Sequence, residues 1–330
     1  MGLTRRQCLM AFGAGIASAA GRSLSDEWRR IAGATDGTVG AAALHVNSDS
    51  SAASIISLNG EERFPLASVC KLPIAMNLLA MVDEGKLDLH QEIEVLPRDV
   101  WAGVSDIEKR WPAERRFALN EMIELMVAHS DNTAVETLFR ISGEGPAMAA
   151  RFRQWKIEGV RVDRSERQCN LDRNGVEHSP PPIEWTDEGI KALIAKTTPA
   201  MRYRATQRFL ADPRDTGTPN GTVRLLARAF RGEVLAPSST ARLIEILKAT
   251  TTSPTRLKGM LPAGTIVAHK TGSSGTVNHL TAATNDSGVI FLPNGERLAV
   301  SVYLKASTRD DAARDRVIAR IARAAFDFYE

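Results

Sequence analysis

The stretch Ser68-Val69-Cys70-Lys71 stands directly before an apolar run at residues 72–82. If that run is a helix, the serine and the lysine lie one turn apart on the same face, so the amine can approach the hydroxyl. A neighbouring amine that gives up its proton is one of the few ways to activate a serine nucleophile, and burial lowers a lysine pKa toward that role. The tetrapeptide alone is also common at the start of an ordinary helix with a surface lysine. Its meaning therefore depends on partners elsewhere in the chain.

The composition is typical of a soluble globular protein. The chain has 330 residues, of which 43% are hydrophobic and 25% are charged, enough for a large core and two lobes. The formal net charge is only +3, so no domain-wide basic field indicates a nucleic-acid partner.

The first residues have the pattern of an export signal, predicted at residues 1–19. Thr4-Arg5-Arg6-Gln7 precedes an apolar stretch at residues 8–16, and Ala17-Ser18-Ala19 has the small-residue form of a cleavage site. The paired arginines resemble a twin-arginine leader; an ordinary secretory leader and a frayed helix are the alternatives. The apolar stretch is too short to span a bilayer, and no later segment is long enough. These features predict a periplasmic or secreted protein without membrane contact once the signal is removed.

Cysteine and histidine usage gives little support to a metal site. Cys8 leaves with the signal, and Cys70 and Cys169 remain as an even pair that can form a disulfide in an oxidising compartment. Two small buried apolar residues are an equally good interpretation. None of the six histidines stands in an H-E-x-x-H or C-x-x-C context. We therefore expect neither a metal ion nor an organic cofactor.

The order of predicted elements indicates an α+β fold. Helical periodicity dominates the middle of the chain, and a closing helix is predicted at residues 309–329. Strand patterns occur at both ends, at residues 40–46, 52–58, 265–269, 280–285, 288–292 and 298–305. This order implies one sheet domain assembled from residues 24–62 and 252–330, with an all-helical domain at residues 63–251.

Two features of the helical domain stand out. The helix after Ser68 is apolar nearly all round and belongs in the middle of the domain, and Pro73 predicts an irregular first turn. A loop at residues 161–216 contains an insertion at about residues 171–211, whose turn-rich sequence carries two helical patterns. We expect the insertion to lie on the surface as a helical hairpin, either over the cleft or outside it.

Three distant segments decide how Ser68 is interpreted. Ser130-Asp131-Asn132 joins two predicted helices, Lys270-Thr271-Gly272-Ser273 follows an apolar strand, and residues 164–170 are polar and non-periodic, as a functional loop would be. Each alone has an ordinary explanation as a helix cap, a turn or a solvated loop. Together, the order S-x-x-K, S-D-N, K-T-G is the signature of class A β-lactamases and penicillin-binding proteins.

From about Ser25 to Glu330 the sequence resembles the class A serine β-lactamases, apart from the insertion. Residues 256–286 look most like the extended-spectrum branch, whose active-site loops are enlarged. Further local matches are Arg63-Phe64-Pro65-Leu66, Ser130-Asp131-Asn132-Thr133-Ala134, Asp212-Pro213-Arg214-Asp215-Thr216 with Pro219, and Leu261-Pro262-Ala263-Gly264. The resemblance implies a serine β-lactamase/penicillin-binding-protein-like fold: a five-stranded antiparallel sheet flanked by helices, plus an all-helical domain, with the site in the cleft between them.

The resemblance also implies roles in acylation. Ser68 is the expected nucleophile, Lys71 is a candidate general base, and Ser130 would pass a proton to the β-lactam nitrogen. The backbone N–H groups of Ser68 and Ser273 would form the oxyanion hole, worth roughly 3 to 4 kcal/mol per donor in comparable sites.

Substrate-binding roles follow from the same resemblance. Asn132 would hold the substrate side-chain amide. Some family members keep the second carboxylate-binding arginine where Arg256 stands, and others keep it on the strand after K-T-G, at the position of Ser287 here. The residues expected to bind the ring carboxylate are Lys270, Thr271, Ser273 and Arg256.

Release of the acyl-enzyme requires a base that holds water near the ester. Glu166 with Asn170 matches the E-x-x-x-N spacing of the family for this task. Glu166 also competes with Lys71 as the base for acylation, and the sequence leaves that choice open. Glu177 and Glu184 are minor rivals for the hydrolytic role if the insertion rearranges the loop.

Some positions near the expected site depart from the family or have two interpretations. Glu166 is followed by Arg167 in place of the usual proline, so the unusual peptide geometry often found there is in doubt. Arg164 and Asp215 match a pair that closes the neck of the loop with a salt bridge. Trp101 stands where the family often has an aromatic wall of the cleft, and a buried tryptophan is the alternative.

We therefore expect a β-lactamase that hydrolyses the β-lactam amide bond through a serine acyl-enzyme and a Glu-activated water, acting as a monomer on a small-molecule substrate. The alternatives are a D-alanyl-D-alanine carboxypeptidase or penicillin-binding enzyme, and a non-catalytic β-lactam-binding domain of the same fold.

Overall fold

The structure, a computed structural model, describes residues 23–46, 54–103 and 105–330. The predicted export signal and residues 47–53, between the first two predicted strands, lie outside these residues. Within the described ranges, no helix is long and apolar enough to cross a membrane.

The main sheet is antiparallel and joins both ends of the chain. Its strands run in the order β2-β1-β10-β9-β7, and the short β8 pairs with β9. Two further pairs, β3 with β6 and β4 with β5, form separate ribbons. In chain order the strands are β1 Thr38–His45, β2 Ile56–Leu58, β3 Phe64–Pro65, β4 Glu92–Glu94, β5 Arg116–Ala118, β6 Thr216–Gly217, β7 Val267–Ser273, β8 Thr276–Val277, β9 Leu280–Phe291 and β10 Arg297–Ser307. The predicted sheet of five antiparallel strands is confirmed along this path.

Helices fill the middle of the chain and close its end. In chain order they are α1 Leu24–Ala32, α2 Lys71–Asp83, α3 Asp106–Arg110, α4 Leu119–Ala128, α5 Asn132–Ile141, α6 Glu144–Gln154, α7 Glu166–Arg173, α8 Asp187–Ala195, α9 Pro199–Ala211, α10 Pro219–Phe230, α11 Pro237–Lys248 and α12 Asp311–Tyr329. The prediction of a non-periodic loop at residues 164–170 is wrong in part, because α7 begins at Glu166, where the Ser165 hydroxyl accepts a hydrogen bond from the N–H of Gln168.

Two hydrophobic cores lie on opposite faces of the main sheet. Along β1, Ala42 and Leu44 belong to the core shared with the helical domain. Ala41 and Ala43 point to the other face and join the core beneath α1 and α12, because successive strand residues face opposite sides of a sheet. Both faces of the strand are therefore buried.

The helix α2 lies at the centre of the helical domain. Every residue from Lys71 to Ala80 is buried, and the helix packs against α4, α5, α6 and α11. A 3₁₀ turn, Ala67–Cys70, precedes it, which confirms the irregular start predicted from Pro73. The proline is tolerated as the third residue of α2, because N–H groups in a first turn have no helical acceptor.

The structure corrects the prediction of separate strands at residues 280–285 and 288–292. Both belong to one strand, β9. Asn285, Asp286 and Ser287 are fully buried within it, and the side chain of each makes at least one hydrogen bond to a neighbouring element. The three polar residues resemble a turn in the sequence because their tertiary partners are distant.

Candidate active site

The turn that carries Ser68 is held by the sheet. Ser68 is partly exposed in the 3₁₀ turn Ala67–Cys70. From β9, the side-chain amide of Asn285 donates hydrogen bonds to the carbonyl oxygens of Pro65 (2.8 Å) and Leu66 (3.0 Å). Asn285 is thus a positioning residue that sequence reasoning did not single out. Its only sequence signal was a polar residue within a strand pattern.

The glycine of the K-T-G motif allows β7 to approach the same turn closely. A Cβ atom at Gly272 would lie 2.7 Å from the Leu66 carbonyl oxygen and 3.1 Å from the Ser68 nitrogen. No side chain fits in that space, so only glycine permits this packing. The next residue of β7 is Ser273, whose N–H is the second donor expected for the oxyanion hole.

Lys71 connects the S-x-x-K and S-D-N motifs. Its Nζ is fully buried and donates hydrogen bonds to the Ser130 carbonyl oxygen (2.7 Å), Ser130 Oγ (3.1 Å) and Asn132 Oδ1 (2.7 Å). Burial lowers the pKa of Lys71, and the nearby Glu166 carboxylate opposes that shift. In the described part of the chain, no hydrogen bond joins Nζ to Ser68 Oγ. The lysine is therefore a buried amine that can give up a proton, and its hydrogen bonds go to Ser130 and Asn132.

Asp131, the middle residue of S-D-N, holds the loop in place. Its buried carboxylate accepts hydrogen bonds from the N–H groups of Ala134 (2.9 Å), in α5, and Asp106 (2.7 Å), in α3. Ser130 has φ +61°, in the left-handed region that few residues other than glycine adopt. The carboxylate anchors the loop at two helix starts while Ser130 and Asn132 present their side chains to Lys71.

Three buried basic side chains, Lys71, Lys270 and Arg256, lie near the K-T-G segment of β7. Lys270 is fully buried, and burial, together with the positive charge of Lys71, lowers its pKa to about 7. Arg256 is also buried, and its Nη2 donates a 2.7 Å hydrogen bond to Ser273 Oγ. Thr271 completes this group, since its hydroxyl lies 2.6 Å from that of Thr252. An arrangement of this kind suits a small anion such as a carboxylate.

The Arg256 guanidinium is held rigidly. Its Nη1 donates to the carbonyl oxygens of Gly272 (3.0 Å) and Asn285 (2.9 Å), and its Nε pairs with Asp315 (2.7 Å). The arginine thus joins β7, β9 and α12 at one end of the site.

One face of α7 lines a cavity beside the serine turn. Glu166, Cys169, Asn170 and Arg173 follow the i, i+3, i+4, i+7 spacing of a single helix face. All four border a cavity of about 50 Å³, together with Pro65, Ala67, Cys70 and Ser274. The structure therefore brings Glu166 and Asn170 to the turn of Ser68. Glu177 and Glu184 are exposed on the insertion and do not line this cavity.

Arg167 ties α7 to the opposite rim of the cleft. Its buried guanidinium donates to the Val100 carbonyl oxygen and lies 4.8 Å from the ring centroid of the partly buried Trp101. The described residues contain one cis peptide bond, before Pro112, so the peptide between Glu166 and Arg167 is trans.

Glu136 lies beneath the first turn of α7. Its carboxylate accepts a 2.7 Å hydrogen bond from the N–H of Arg167, and burial raises the pKa of Glu136 to about 7. Sequence reasoning did not single out this residue. A glutamate within an amphipathic helix gives no signal of such a contact.

The neck of the loop is closed by ion pairs. Arg164 Nε lies 2.6 Å from Asp215 Oδ2, which confirms the predicted salt bridge. Arg164 Nη1 also pairs with Asp172 (2.5 Å) and Asp212 (3.2 Å). The Asp215 carboxylate accepts hydrogen bonds from the backbone N–H groups of Asp163 (2.7 Å) and Arg164 (3.0 Å). One buried arginine thus joins both ends of the loop to α7.

The insertion braces the far side of α7. It contains the helices α8 and α9, in agreement with the two helical patterns of its sequence. Leu171, Trp185 and Ile190 form a small core between α7 and α8. At the start of α9, the Pro199 carbonyl oxygen accepts a 2.7 Å hydrogen bond from Asn278, in the turn between β8 and β9. The helix α9 packs against α7 and β9, and its Phe209 lines the cavity beside the serine turn. The insertion therefore supports the helix that carries Glu166 and also forms part of that cavity.

Cys70 and Cys169 are both free thiols and do not form the disulfide considered from the sequence. Both line the cavity beside α7, and burial raises the pKa of each thiol. Cys169 Sγ donates a weak hydrogen bond to Asp215 Oδ2 (3.6 Å). Across the described residues, no group of three His, Cys, Asp or Glu side chains is placed to hold a metal ion.

Known proteins that are similar to this chain in sequence and fold include β-lactamases. The family described as "Beta-lactamase enzyme family" matches residues 23–329. The extended-spectrum β-lactamase PER-1 of Pseudomonas aeruginosa is 32% identical over 275 residues, 82% of this chain and 77% of the relative. A β-lactamase structure from Chitinophaga pinensis has a TM-score of 0.76 at 30% identity and covers 94% of this chain and 100% of its own. An ancestral class A β-lactamase has a TM-score of 0.71 at 30% identity, covering 92% and 99%.

The fold is therefore that of the class A β-lactamases. The match extends over almost the whole described length of the chain. The chain belongs to the β-lactamase enzyme family.

Proposed function

We propose that this β-lactamase opens the β-lactam ring through an acyl-enzyme on Ser68 and releases the product with a water activated by Glu166. The observation that supports the proposal is the cavity between α7 and the serine turn, which Glu166 lines together with Ala67 and Cys70 of that turn. A serine with a neighbouring amine can be acylated. A carboxylate base beside it supplies the second step, hydrolysis of the ester.

In acylation, Ser68 Oγ attacks the carbonyl carbon of the ring, and its proton passes to Lys71 or to Glu166. The oxyanion is held by the N–H groups of Ser68 and Ser273. As the C–N bond breaks, Ser130 passes a proton to the nitrogen that leaves. The hydrogen bond between Lys71 Nζ and Ser130 Oγ (3.1 Å) supports this relay.

The cationic end of the site would bind the ring carboxylate through Lys270, Thr271, Ser273 and Arg256. Asn132 would bind the side-chain amide of the substrate. Its Oδ1 accepts from Lys71, so the side-chain NH₂ group is the part available to donate to a substrate carbonyl. The substrate is thereby held at two points on either side of the reacting bond.

In deacylation, Glu166 takes a proton from water while that water attacks the ester carbon, and Ser68 leaves with a proton restored. Asn170 stands one turn along α7 and would help hold the water. Its Oδ1 accepts a 2.8 Å hydrogen bond from Asn174, which sets the orientation of the amide.

The test is hydrolysis of a chromogenic cephalosporin with mass spectrometry of the protein. Wild type should turn over many equivalents. Ser68→Ala should show neither turnover nor adduct, and Glu166→Ala should accumulate the adduct. A single turnover with a stable adduct in wild type would indicate a penicillin-binding enzyme, and no adduct would indicate a non-catalytic binding domain. Normal steady-state hydrolysis by the Glu166 variant would remove Glu166 from its assigned role.

The same proposal includes export and a monomeric state. Support comes from the pattern of residues 1–19 and from the small-molecule substrate, which needs no second subunit. Cell fractionation after expression tests export. Size-exclusion chromatography of the exported protein tests the monomeric state. Retention in the cytoplasm, or elution as a dimer, would contradict them separately.

A further inference from the structure

The insertion reaches the rim of the cleft through Asp187, the first residue of α8. Its side chain is buried, and aspartates are seldom buried unless they are paired. Asp187 is not needed to cap α8, because the Thr186 hydroxyl already accepts a hydrogen bond from the N–H of Gly189 (3.0 Å). The helix dipole favours a carboxylate in the first turn, but that effect does not require burial. The contacts of the carboxylate explain its place.

One oxygen of the Asp187 carboxylate contacts two other segments. Oδ1 accepts a hydrogen bond from the N–H of Ala102 (3.2 Å), in the rim segment, and lies 3.7 Å from Arg167 Nη1, in α7. The other oxygen lies 2.6 Å from the exposed Lys191, an i, i+4 pair that contributes little. Gly103 follows Ala102 with φ +96°, and a glycine constrains its own backbone little. The hydrogen bond to Asp187 therefore holds a segment whose backbone does not fix itself.

The rim segment carries Trp101, whose ring lies against the same ion pair. The Arg167 guanidinium is 4.8 Å from the centroid of the indole, within the range of a cation–π contact. On the other side, the N–H of Trp101 donates a 3.0 Å hydrogen bond to the hydroxyl of Thr133, the residue after Asn132. The indole is thus held between the S-D-N loop and the pair of Asp187 with Arg167.

Arg167 depends on Asp187 for its position. Its guanidinium is almost completely buried, and a buried cation needs an anion beside it. Glu136 accepts from the backbone N–H of Arg167, and the Val100 carbonyl oxygen accepts from the guanidinium. Among the described residues, Asp187 is the carboxylate that forms an ion pair with this guanidinium. Its removal would free the group that lies over the indole.

We propose that Asp187 is a positioning residue that fixes the indole of Trp101 at the rim of the cleft, beside Asn132, and so gives the insertion a part in substrate binding. The inference rests on the proposed function, in which Asn132 binds the substrate. The family resemblance predicts an aromatic wall at Trp101. Asp187 belongs to the insertion, which that resemblance does not cover.

The experiment measures hydrolysis of benzylpenicillin and amide hydrogen exchange of the peptide that contains Ala102. In Asp187→Ala, exchange at Ala102 should quicken about tenfold, the effect of losing one hydrogen bond to a charged group. KM should rise about 2- to 10-fold, the worth of one aromatic contact. The value of kcat should stay nearly unchanged, because the indole would contact ground and transition states alike. Asp187→Asn keeps an acceptor for Ala102 and should retain part of the protection, and the exposed Glu188→Ala, in the same turn, is the matched control.

A double-mutant cycle with Trp101→Ala tests whether Asp187 acts through the indole. The rise in KM caused by Asp187→Ala should be absent when Trp101 is already alanine. A rise of the same size in that background would overturn the proposal, as would unchanged KM and exchange in Asp187→Ala. A fall in kcat with accumulation of the acyl-enzyme would also overturn it, because Asp187 would then act through α7 on Glu166.

Failure of the proposed function is a separate outcome. If wild type hydrolyses no β-lactam, that function fails, whereas hydrogen exchange at Ala102 still tests the contact with Asp187. Thermal unfolding of each variant confirms that the comparison is made on folded protein. If Asp187→Ala does not fold, Asp187→Asn, which removes the ion pair with Arg167 at equal volume, takes its place in the cycle.

Discussion

Lys71 Nζ donates a 2.7 Å hydrogen bond to Asn132 Oδ1, which joins the helix after the serine to the first residue of α5. The same ammonium contacts the carbonyl oxygen and hydroxyl of Ser130. Because the lysine is fully buried, these oxygens replace the water that it has lost. One side chain thus positions two motif residues and can also exchange a proton.

Lys71→Ala should slow acylation. Removing a general base or proton relay costs about 100-fold or more in rate, and Asn132 also loses its partner. Pre-steady-state measurement of adduct formation separates acylation from release. The exposed Lys191→Ala, on α8, is the control, and unchanged acylation in the Lys71 variant would contradict its role.

Arg164→Ala should destabilise the loop that carries Glu166. The substitution leaves buried carboxylates without their cation, a change that typically costs about 3 to 5 kcal/mol. The free energy of unfolding in urea measures the loss, and slower release of the acyl-enzyme should accompany it. Arg214→Ala removes a half-exposed arginine bonded to Asp212 and should cost less than about 1 kcal/mol. Equal losses of unfolding free energy in the two variants would show that the ion pairs of Arg164 stabilise the loop no more than an exposed ion pair does.

Arg256→Ala should weaken the handling of substrates through their carboxylate. Loss of a hydrogen bond to a charged group predicts a fall of about 10- to 100-fold in kcat/KM. Steady-state kinetics across penicillins and cephalosporins measures it, with the exposed Arg316→Ala on α12 as the control. Unchanged kinetics across the panel would reject the role.

Glu136→Gln should remove the part of the pH dependence of the unfolding free energy that comes from the Glu136 carboxyl. The pKa of Glu136 is raised from 4.5 to about 7 in the folded protein, so the native state binds a proton more tightly than the unfolded chain. Its contribution to stability is complete below about pH 4.5 and is lost as the pH rises to about 7. Relative to the glutamine variant, wild type should therefore lose at most about 3 kcal/mol between these values. Urea midpoints at about pH 5 and pH 8 test this, with the exposed Glu177→Gln as the control; parallel changes in all three proteins would contradict it.

Local patterns predicted many elements well. Helix α5 begins at Asn132, within the Ser130-Asp131-Asn132 segment that was predicted to join two helices, because Asp131 caps it from within the same segment. The turn at Pro293-Asn294-Gly295 separates β9 and β10, in the gap between the strand patterns at residues 288–292 and 298–305, and Gly295 has the positive φ that the turn needs. Such features depend on neighbours in sequence, so sequence suffices to find them.

Elements that depend on distant partners were missed. The polar helix α7 shows little periodicity, and its position is set by the Arg164–Asp215 neck, by Glu136 and by the core with α8. The continuity of β9 through Asn285 depends on hydrogen bonds to a turn more than 200 residues earlier. Contacts at such separations leave no trace in a local pattern.

By itself the sequence determined the class of fold and predicted the chemistry of Ser68, because four motifs in one order need no geometry to be recognised. Only the tertiary structure decided how they meet. Lys71 donates hydrogen bonds to Ser130 and Asn132, and the insertion packs against α7 and contributes Phe209 to the cavity beside the serine turn. These outcomes arise from packing and from the pairing of buried charges, which depend on groups that only folding brings together.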